Sequence, residues 1–462
     1  MKKLISIFGI LAIILTLTAC GGNDGRVTTS QSTTGTTQND VSTAKGEVYF
    51  LNFKPEVGQV YEEIAKEYEK ETGVRVKVVT AASDTYEQTL TSEIAKANPP
   101  TIFQLNGPVG YQNWKGYCAD LKESKLYSIL TDKSLAITDG SGIYGIPYVI
   151  EGYGIIYNEA ITDKYFALET KSTDLTSMEQ VNSFDKLKAL AEDMTKHKAE
   201  LGIDGVFAST SFSPGNQWRW NTHLLGIPYH YELDELDEYE NSTLAGLEAK
   251  EYAFESDEAF RNIFDLYLAN SVTDKKLIGS KSVNDSMAEF ALGKAAMVQN
   301  GSWAYSEISA TEGNTVQADK VKMLPIYMGL EGEDDQGLCI GTENYLAINS
   351  KASPEDQKAS ADFLYWLFSS EKGKRYVSEK LGFVTPFNTM TDAALSDPLA
   401  KEVLKWSNKE DIDSVPWAFV SFPGIEFKDE VGSALLDYAQ GTKPWSETAD
   451  RIRDAFKKAK TQ

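Results

Sequence analysis

Three short segments of this 462-residue chain set aromatic rings beside amides, hydroxyls, glycine or proline. They are Ser213-Pro214-Gly215-Asn216-Gln217-Trp218-Arg219-Trp220, Asn300-Gly301-Ser302-Trp303-Ala304-Tyr305 and Pro416-Trp417-Ala418-Phe419. Gly and Pro mark loops and element ends, so these rings are expected at the rims of elements, where a ligand can reach them. The chemistry they suit is recognition of a polyol such as a sugar. A sugar ring offers an apolar face of C–H groups, which Trp and Tyr can cover. Its rim of hydroxyls can be taken by carboxylates and amides in two-point hydrogen bonds. Such a pocket needs no metal, no cofactor and no shifted pKa. For any single Trp the competing reading is ordinary core packing, since Trp is usually well buried.

Residues for other chemistries are missing or misplaced. The three histidines are His197, His223 and His230. None lies in His-Glu-x-x-His or near a cysteine pair at zinc spacing. His223 and His230 are seven apart, but Pro228 is expected to break any helix face they would share. They read as satisfied core or surface histidines. There is no Gly-x-Ser-x-Gly elbow. Gly293-Lys294-Ala295 lacks the upstream Gly and the Ser or Thr of a phosphate loop, and no dinucleotide glycine fingerprint follows a strand. Glu331 to Gly337 carries four acids without the alternating oxygens of an EF-hand loop, so a solvated loop is expected there rather than a Ca²⁺ site. Among 68 acidic residues some pair always lies about 5 to 9 Å apart. A carboxylate pair for glycoside hydrolysis therefore has no diagnostic force.

The elements that must hold the aromatic segments follow a strand–helix alternation. Glu47 to Phe53 reads as a strand. Val60, Ile64 and Tyr68 recur at helical spacing until Glu71-Thr72-Gly73. Val74 to Thr80 alternates as a strand does. Thr85 to Ala97 is a second amphipathic helix, stopped by Asn98-Pro99-Pro100, and Thr101 to Leu105 is the next strand. This pattern predicts βαβ units and a parallel sheet, with ligand beyond the carboxyl ends of the strands. Further helices are expected at Ser183–Lys196, Asp257–Leu268, Met287–Leu292 and Ala449–Lys460, and a strand at Ala295–Gln299. Tyr231 to Glu240 is very acidic and reads as a solvated loop or helix end. Ser353-Pro354-Glu355-Asp356 starts a helix with a Ser cap, Pro in the first turn and acids behind it. That helix is expected to run to about Ser370.

The ends concern location. Met1-Lys2-Lys3 precedes an uncharged apolar run, Leu4 to Ala19, short for a spanning helix and suited to a signal peptide over residues 1–19. Leu17-Thr18-Ala19-Cys20-Gly21 resembles the lipobox of bacterial lipoproteins, in which the Cys sulfur takes a diacylglycerol and becomes the new N-terminus. Two acyl chains give stable anchoring. Residues 20–44 hold ten Ser and Thr and read as a flexible tether. The rest, from Lys45, is long for one core and suits two lobes. A net charge of −23 disfavours nucleic acid and anionic membrane surfaces as partners. Cys118 and Cys339 are too few for a disulfide scaffold. One bridge stays open, and otherwise each is a small buried hydrophobe.

With these residues in view, the chain resembles the carbohydrate-binding component of bacterial ABC importers, the group typified by maltose-binding protein. The segment Glu289 to Trp303 matches that family's F-x-x-G-x-A-A-M-x-x-x-G-x-W stretch. Tyr144-Gly145-Ile146-Pro147-Tyr148 and Gly154-Ile155-Ile156-Tyr157-Asn158 match the first crossing between lobes. Asn344 to Asn349 with the Ser353 helix matches the return, and Gly382-Phe383-Val384-Thr385-Pro386 resembles the turn before the last crossing. The resemblance implies a two-lobed periplasmic-binding-protein-like α/β fold with a multi-segment hinge and an interlobe cleft. The first lobe would comprise 45–153 and 336–384, the second 154–335 and 385–462. It also implies ligand-binding roles for Trp303 as stacking platform, Glu151 as a hinge carboxylate and Trp417 as a second aromatic. Trp218 and Gln217 would serve from the second lobe, and Lys54, Gln104 and Asn106 from the first. The stretch Gln104-Leu105-Asn106-Gly107-Pro108 departs from the maltose-binding pattern of a Trp and an Asp-Arg pair, so part of the first-lobe contact must differ.

The expectation is a monomeric lipoprotein on the outer face of the membrane that binds an oligosaccharide non-covalently and passes it to an ABC permease. Malto-oligosaccharide and raffinose-type sugars are both open. An anchored glycoside hydrolase, or a same-fold binder of a polyamine or peptide, are the alternatives. No cofactor or metal is expected.

Overall fold

The computed structural model describes residues 45–82, 85–234, 242–391 and 395–461. Cys20, the leader and the tether through Ala44 lie outside them, as do residues 235–240 of the acidic stretch. Among the described residues no helix is long and apolar enough to cross a membrane.

Among the described residues, twelve strands sort into two sheets. They are Val48–Asn52 (β1), Val76–Thr80 (β2), Ile102–Asn106 (β3), Ile137–Asp139 (β4), Gly142–Pro147 (β5), Glu151–Asn158 (β6), Gly205–Phe207 (β7), Ala295–Gly301 (β8), Val321–Leu324 (β9), Gln336–Gly341 (β10), Asn344–Ile348 (β11) and Asp413–Val415 (β12). The first sheet runs β2-β1-β3-β11-β5-β4 and the second β12-β10-β6-β8-β7, with β9 also on β6. β1 pairs parallel with β2 and β3, as helix-connected strands do. The sheet is nevertheless mixed, because β11 enters antiparallel between β3 and β5. β11 returns from the second sheet and not through a βαβ crossover, so the parallel rule does not bind it.

The helices follow the apolar periodicity. Gly58–Thr72 buries Tyr61, Ile64, Ala65 and Tyr68. Ser353 Oγ accepts the Asp356 N–H at 3.1 Å and starts the helix Pro354–Ser369. Ser183 caps Phe184–Lys196. Two helices start earlier than their apolar signal, at Val283 and Trp445; Ser282 and Asp285 form a capping box at the former, and the latter follows Pro444 without a side-chain cap. Each sheet has its own core. Val48, Phe50, Ile64, Ile146, Phe363 and Phe368 belong to the first, and Ile155, Leu190, Phe207, Phe264, Met297 and Leu435 to the second.

The chain passes from sheet to sheet at Tyr148–Ile150, between β5 and β6, and at Thr342–Glu343, between β10 and β11. β10 pairs with β6, so Gln336 belongs with the second sheet and the return falls later than residue 336. Phe387 packs in the first core and bridges Leu130, while Leu399 and Val403 pack in the second lobe. We therefore place the last crossing after Phe387 and before Pro398. Cys118 and Cys339 are both buried and free. Burial pushes each thiol up to about 12.

Candidate functional site

Strand register gathers the crossings at one end of each sheet. Asn106 lies beside Asn344, Glu151 beside Gly341, and Gly301 beside Tyr153. Beyond β1, the Asn52 side chain clamps the backbone of Lys54 at both N–H and carbonyl, at 3.1 and 2.7 Å. From that loop the Lys54 ammonium reaches the first crossing and lies 2.8 Å from both Oε1 and Oε2 of Glu151. It is 3.8 Å from Glu56 Oε1 and 6.0 Å from the centre of the Trp303 indole. Lys54 and Glu151 are 5% and 4% exposed. Burial pulls the ammonium down, but Glu151 and Glu56 outweigh it and hold its pKa above the ordinary lysine value.

The three aromatic segments converge on His223. Its imidazole stacks on Tyr153 with centroids 4.3 Å apart and planes 8° apart. Trp218 stands 5.1 Å from it, Trp303 5.4 Å, Trp417 6.1 Å and Phe419 5.1 Å. Burial, with Lys428 and Arg219 nearby, lowers His223 to about 3, so the ring is a neutral part of the stack. Pro228 does not break this region. The chain stays helical from the π-wound turn Arg219–Leu224 through Leu225–Asp234. Pro228 is accommodated inside Leu225–Asp234, where the preceding π turn shifts the backbone ladder and the His223 carbonyl is taken by the Tyr153 hydroxyl at 3.0 Å; this corrects the sequence expectation. No group of three or more metal-ligating side chains is present among the described residues. In the acidic loop, Glu333 instead accepts the N–H groups of Met328 and Gly329.

Trp303 is held from behind. Arg219 and Gln299 exchange bonds, guanidinium to Gln299 carbonyl at 2.8 Å and Gln299 amide to Arg219 carbonyl at 2.7 Å. This ties the turn carrying Trp218 to the strand leading to Trp303. Ser302 N–H donates to the Gly152 carbonyl at 2.8 Å, and Trp303 then opens the helix Ala304–Ala310. The indole lies over Gly301, where a Cβ would fall inside the ring. Gly301→Ala is therefore expected to move the ring and weaken ligand binding about 10-fold, on the order of 1.4 kcal/mol. Calorimetry beside the parent chain checks this, and an unchanged affinity would refute the placement.

The remaining sequence-singled residues divide. Trp417 joins the cluster but is 3% exposed; it packs on Gly341 and stands edge-on to Trp303 at 6.4 Å and 89°. Asn106 sits half-buried at the end of β3. The next residue, Gly107, has φ 65°, and a Cβ there would press on Val420 of the second lobe. Gln104 is fully buried, accepting the Phe53 N–H and donating to the Tyr148 hydroxyl. It thus braces the Lys54 loop from inside the first lobe. Gln217 lies against Gly432.

Sequence reasoning missed His223, Glu56, Glu307 and Asp397. A cavity of about 20 Å³ lies at the lobe boundary, lined among others by Glu56, Glu151, Ser302, Trp303 and Asp397. Burial raises Glu56 above the ordinary carboxylate range, against the pull of Lys54. Burial and Glu56 raise Glu307 to about 7. Burial raises Asp397 to about 6 although it accepts the Leu399 and Ala400 N–H groups. The only sequence signal for Glu56 was its place two residues from Lys54.

Residues 63–405 match the family described as bacterial extracellular solute-binding protein. The diacetylchitobiose binding protein DasA of Streptomyces coelicolor is 28% identical over 170 residues, 35% of this chain and 37% of that protein. The matched stretch thus spans little more than a third of that relative's length. The fold is similar to RafE in complex with raffinose, with TM-score 0.67 and 17% identity over 90% of this chain and 99% of that one. It is also similar to a chitin oligosaccharide binding protein, with TM-score 0.68 and 18% identity over 90% and 99%.

Proposed function

This chain belongs to the bacterial extracellular solute-binding proteins, and from that premise we propose that it captures an oligosaccharide and delivers it to the permease of an ABC importer. The observation that carries the reading is the meeting of Trp303 and Trp218, 6.0 Å apart, with the buried Lys54–Glu151 pair at the lobe boundary. Indoles and a carboxylate–ammonium pair are the two halves of sugar recognition: faces for C–H groups and charged acceptors and donors for hydroxyls. The sugar-directed names of the relatives agree with it, and both the family and the similar folds are binding proteins. Capture is non-covalent. Trp303 stacks on the sugar, Glu151 and Lys54 take hydroxyls, and Trp218 and Asn106 bound the site. Trp417 backs the platform, and Gln104 braces the Lys54 loop. A cavity of about 20 Å³ has room for one water, so a sugar enters by parting of the lobes and closure follows. Cys20 anchors the protein as a monomeric lipoprotein on the outer membrane face.

Raffinose-type sugar, malto-oligosaccharide and diacetylchitobiose are the leading ligand classes. Titration calorimetry against raffinose, maltotriose, N,N′-diacetylchitobiose, a fructo-oligosaccharide and a xylo-oligosaccharide tests them. One-to-one binding of one of them, with the sugar recovered intact, is the expected result. No heat from any of the five, with putrescine or a peptide mixture binding instead, overturns the sugar reading.

A further inference from the structure

The lobe boundary carries more carboxylate than cation. Glu56 belongs to the short helix Pro55–Val57 of the first lobe and Glu307 to Ala304–Ala310 of the second, and these helices pack together. Lys54 is engaged by both oxygens of Glu151 and stands farther from Glu56. Glu307 Oε2 is shut off from solvent and meets no hydrogen-bond donor. The charged groups that act on Glu307 are Glu56 and the buried Arg219 guanidinium. Arg219 directs its bonds to the carbonyls of Gln299 and Ser209 and the hydroxyls of Ser211 and Ser286, so it does not neutralise Glu307 by direct pairing. The groups facing Glu56 are Lys54 and Glu151 within its surroundings and Glu307 from the packed helix across the boundary. Asp397, on the far wall of the same cavity, is answered by its own helix N-terminus and Lys401, with Tyr305 also sensing it.

Resting on the reading that the lobes open and close around a ligand, we propose that closure takes up a proton, held on Glu307 where it meets Glu56 across the boundary. In an open cleft both carboxyls are hydrated and ionise as ordinary glutamates. Closing strips water from both and sets two negative charges against each other with no donor for Glu307 Oε2, and a proton on Glu307 removes the conflict. The sign follows from the raised value. The closed form binds more protons than the open form, so closure is favoured in acid and weakens as pH rises through about 7. With a closed value near 7 and an ordinary open value of 4.5, the closing constant falls on the order of 30-fold between pH 5.5 and 8. A surface-held binding protein with this device captures ligand more tightly in acidic surroundings.

The test is small-angle X-ray scattering of the purified, ligand-free chain at pH 5.5 and pH 8. The expected result is a smaller radius of gyration at pH 5.5. Glu307→Gln, which fixes the neutral form, keeps the smaller radius at both pH values, and Glu56→Gln reduces the difference. Circular dichroism of each variant confirms folding. A wild-type radius independent of pH overturns the proposal. So does a pH response that survives in Glu307→Gln and vanishes in Asp397→Asn. The scattering uses no sugar, so an empty ligand screen and an absent proton linkage are separate results.

Discussion

Trp303→Ala is expected to weaken binding of the proposed sugar ligand about 100-fold and leave the fold intact. The indole is half-buried, supported by Gly301 beneath it and by Trp218, His223 and Trp417 around it. Covering about 100 Å² of sugar and ring at about 25 cal/mol per Å² is worth roughly 2.5 kcal/mol, or a little under two powers of ten in affinity. The neighbouring rings also lose a packing partner, so the melting temperature falls by a few degrees. Trp303→Phe keeps a smaller face and should lose about 10-fold. Calorimetry with whichever panel sugar binds, beside a circular-dichroism melt, separates the two effects. Binding by Trp303→Ala within threefold of the parent would falsify its role as platform.

Lys54→Met has a comparable effect by a different route. It leaves Glu151 and Glu56 in the closed boundary without their shared ammonium, and stranding one member of a buried pair costs roughly 3 to 5 kcal/mol. Opening rehydrates the carboxylates, so the cost falls on closure and affinity more than on unfolding. The expected loss is 100-fold or more in affinity with a small change in melting temperature. Glu151→Gln leaves the lysine with Glu56 alone, 3.8 Å away, and should lose affinity by a smaller factor. The double variant should recover part of the loss, with a coupling of at least about 1.5 kcal/mol in the double-mutant cycle. Strictly additive losses would show that the two residues act independently.

How much of this was legible beforehand depended on how local each signal was. Caps such as Ser353 and Ser183, and the periodic face of Tyr61, Ile64 and Tyr68, act within one or two turns, and their elements lie where the pattern put them. The place of Trp303 at the rim of an element was legible because the glycine, the turn and the ring sit in one short stretch at the end of β8. His223 at the hub was not. Its stack on Tyr153 joins positions 70 apart and depends on β6 meeting a π-wound turn, for which no periodicity exists. Gln104 and Gln217 lie in the right neighbourhoods, but type and position do not tell which way an amide points. One turns to the Phe53 backbone and the other to Gly432. The antiparallel entry of β11 and the attachment of Gln336 to the second sheet are pairings between distant segments, invisible to a reading that moves along the chain.

The place of β11 bears on how the protein is made. It separates β3 from β5 in the first sheet, yet it is synthesised only after the chain has laid down β6 through β10 in the second. A nascent chain emerging N-terminal end first therefore holds β2-β1-β3 and β5-β4 as two incomplete edges while most of the second lobe is already present. Pairings this distant in sequence are slow to form, and exposed strand edges invite the wrong partner. The two lobes cannot mature one after the other like beads. The first is completed through the second, and an interval in which the chain needs protection from aggregation is built into the topology that creates the cleft.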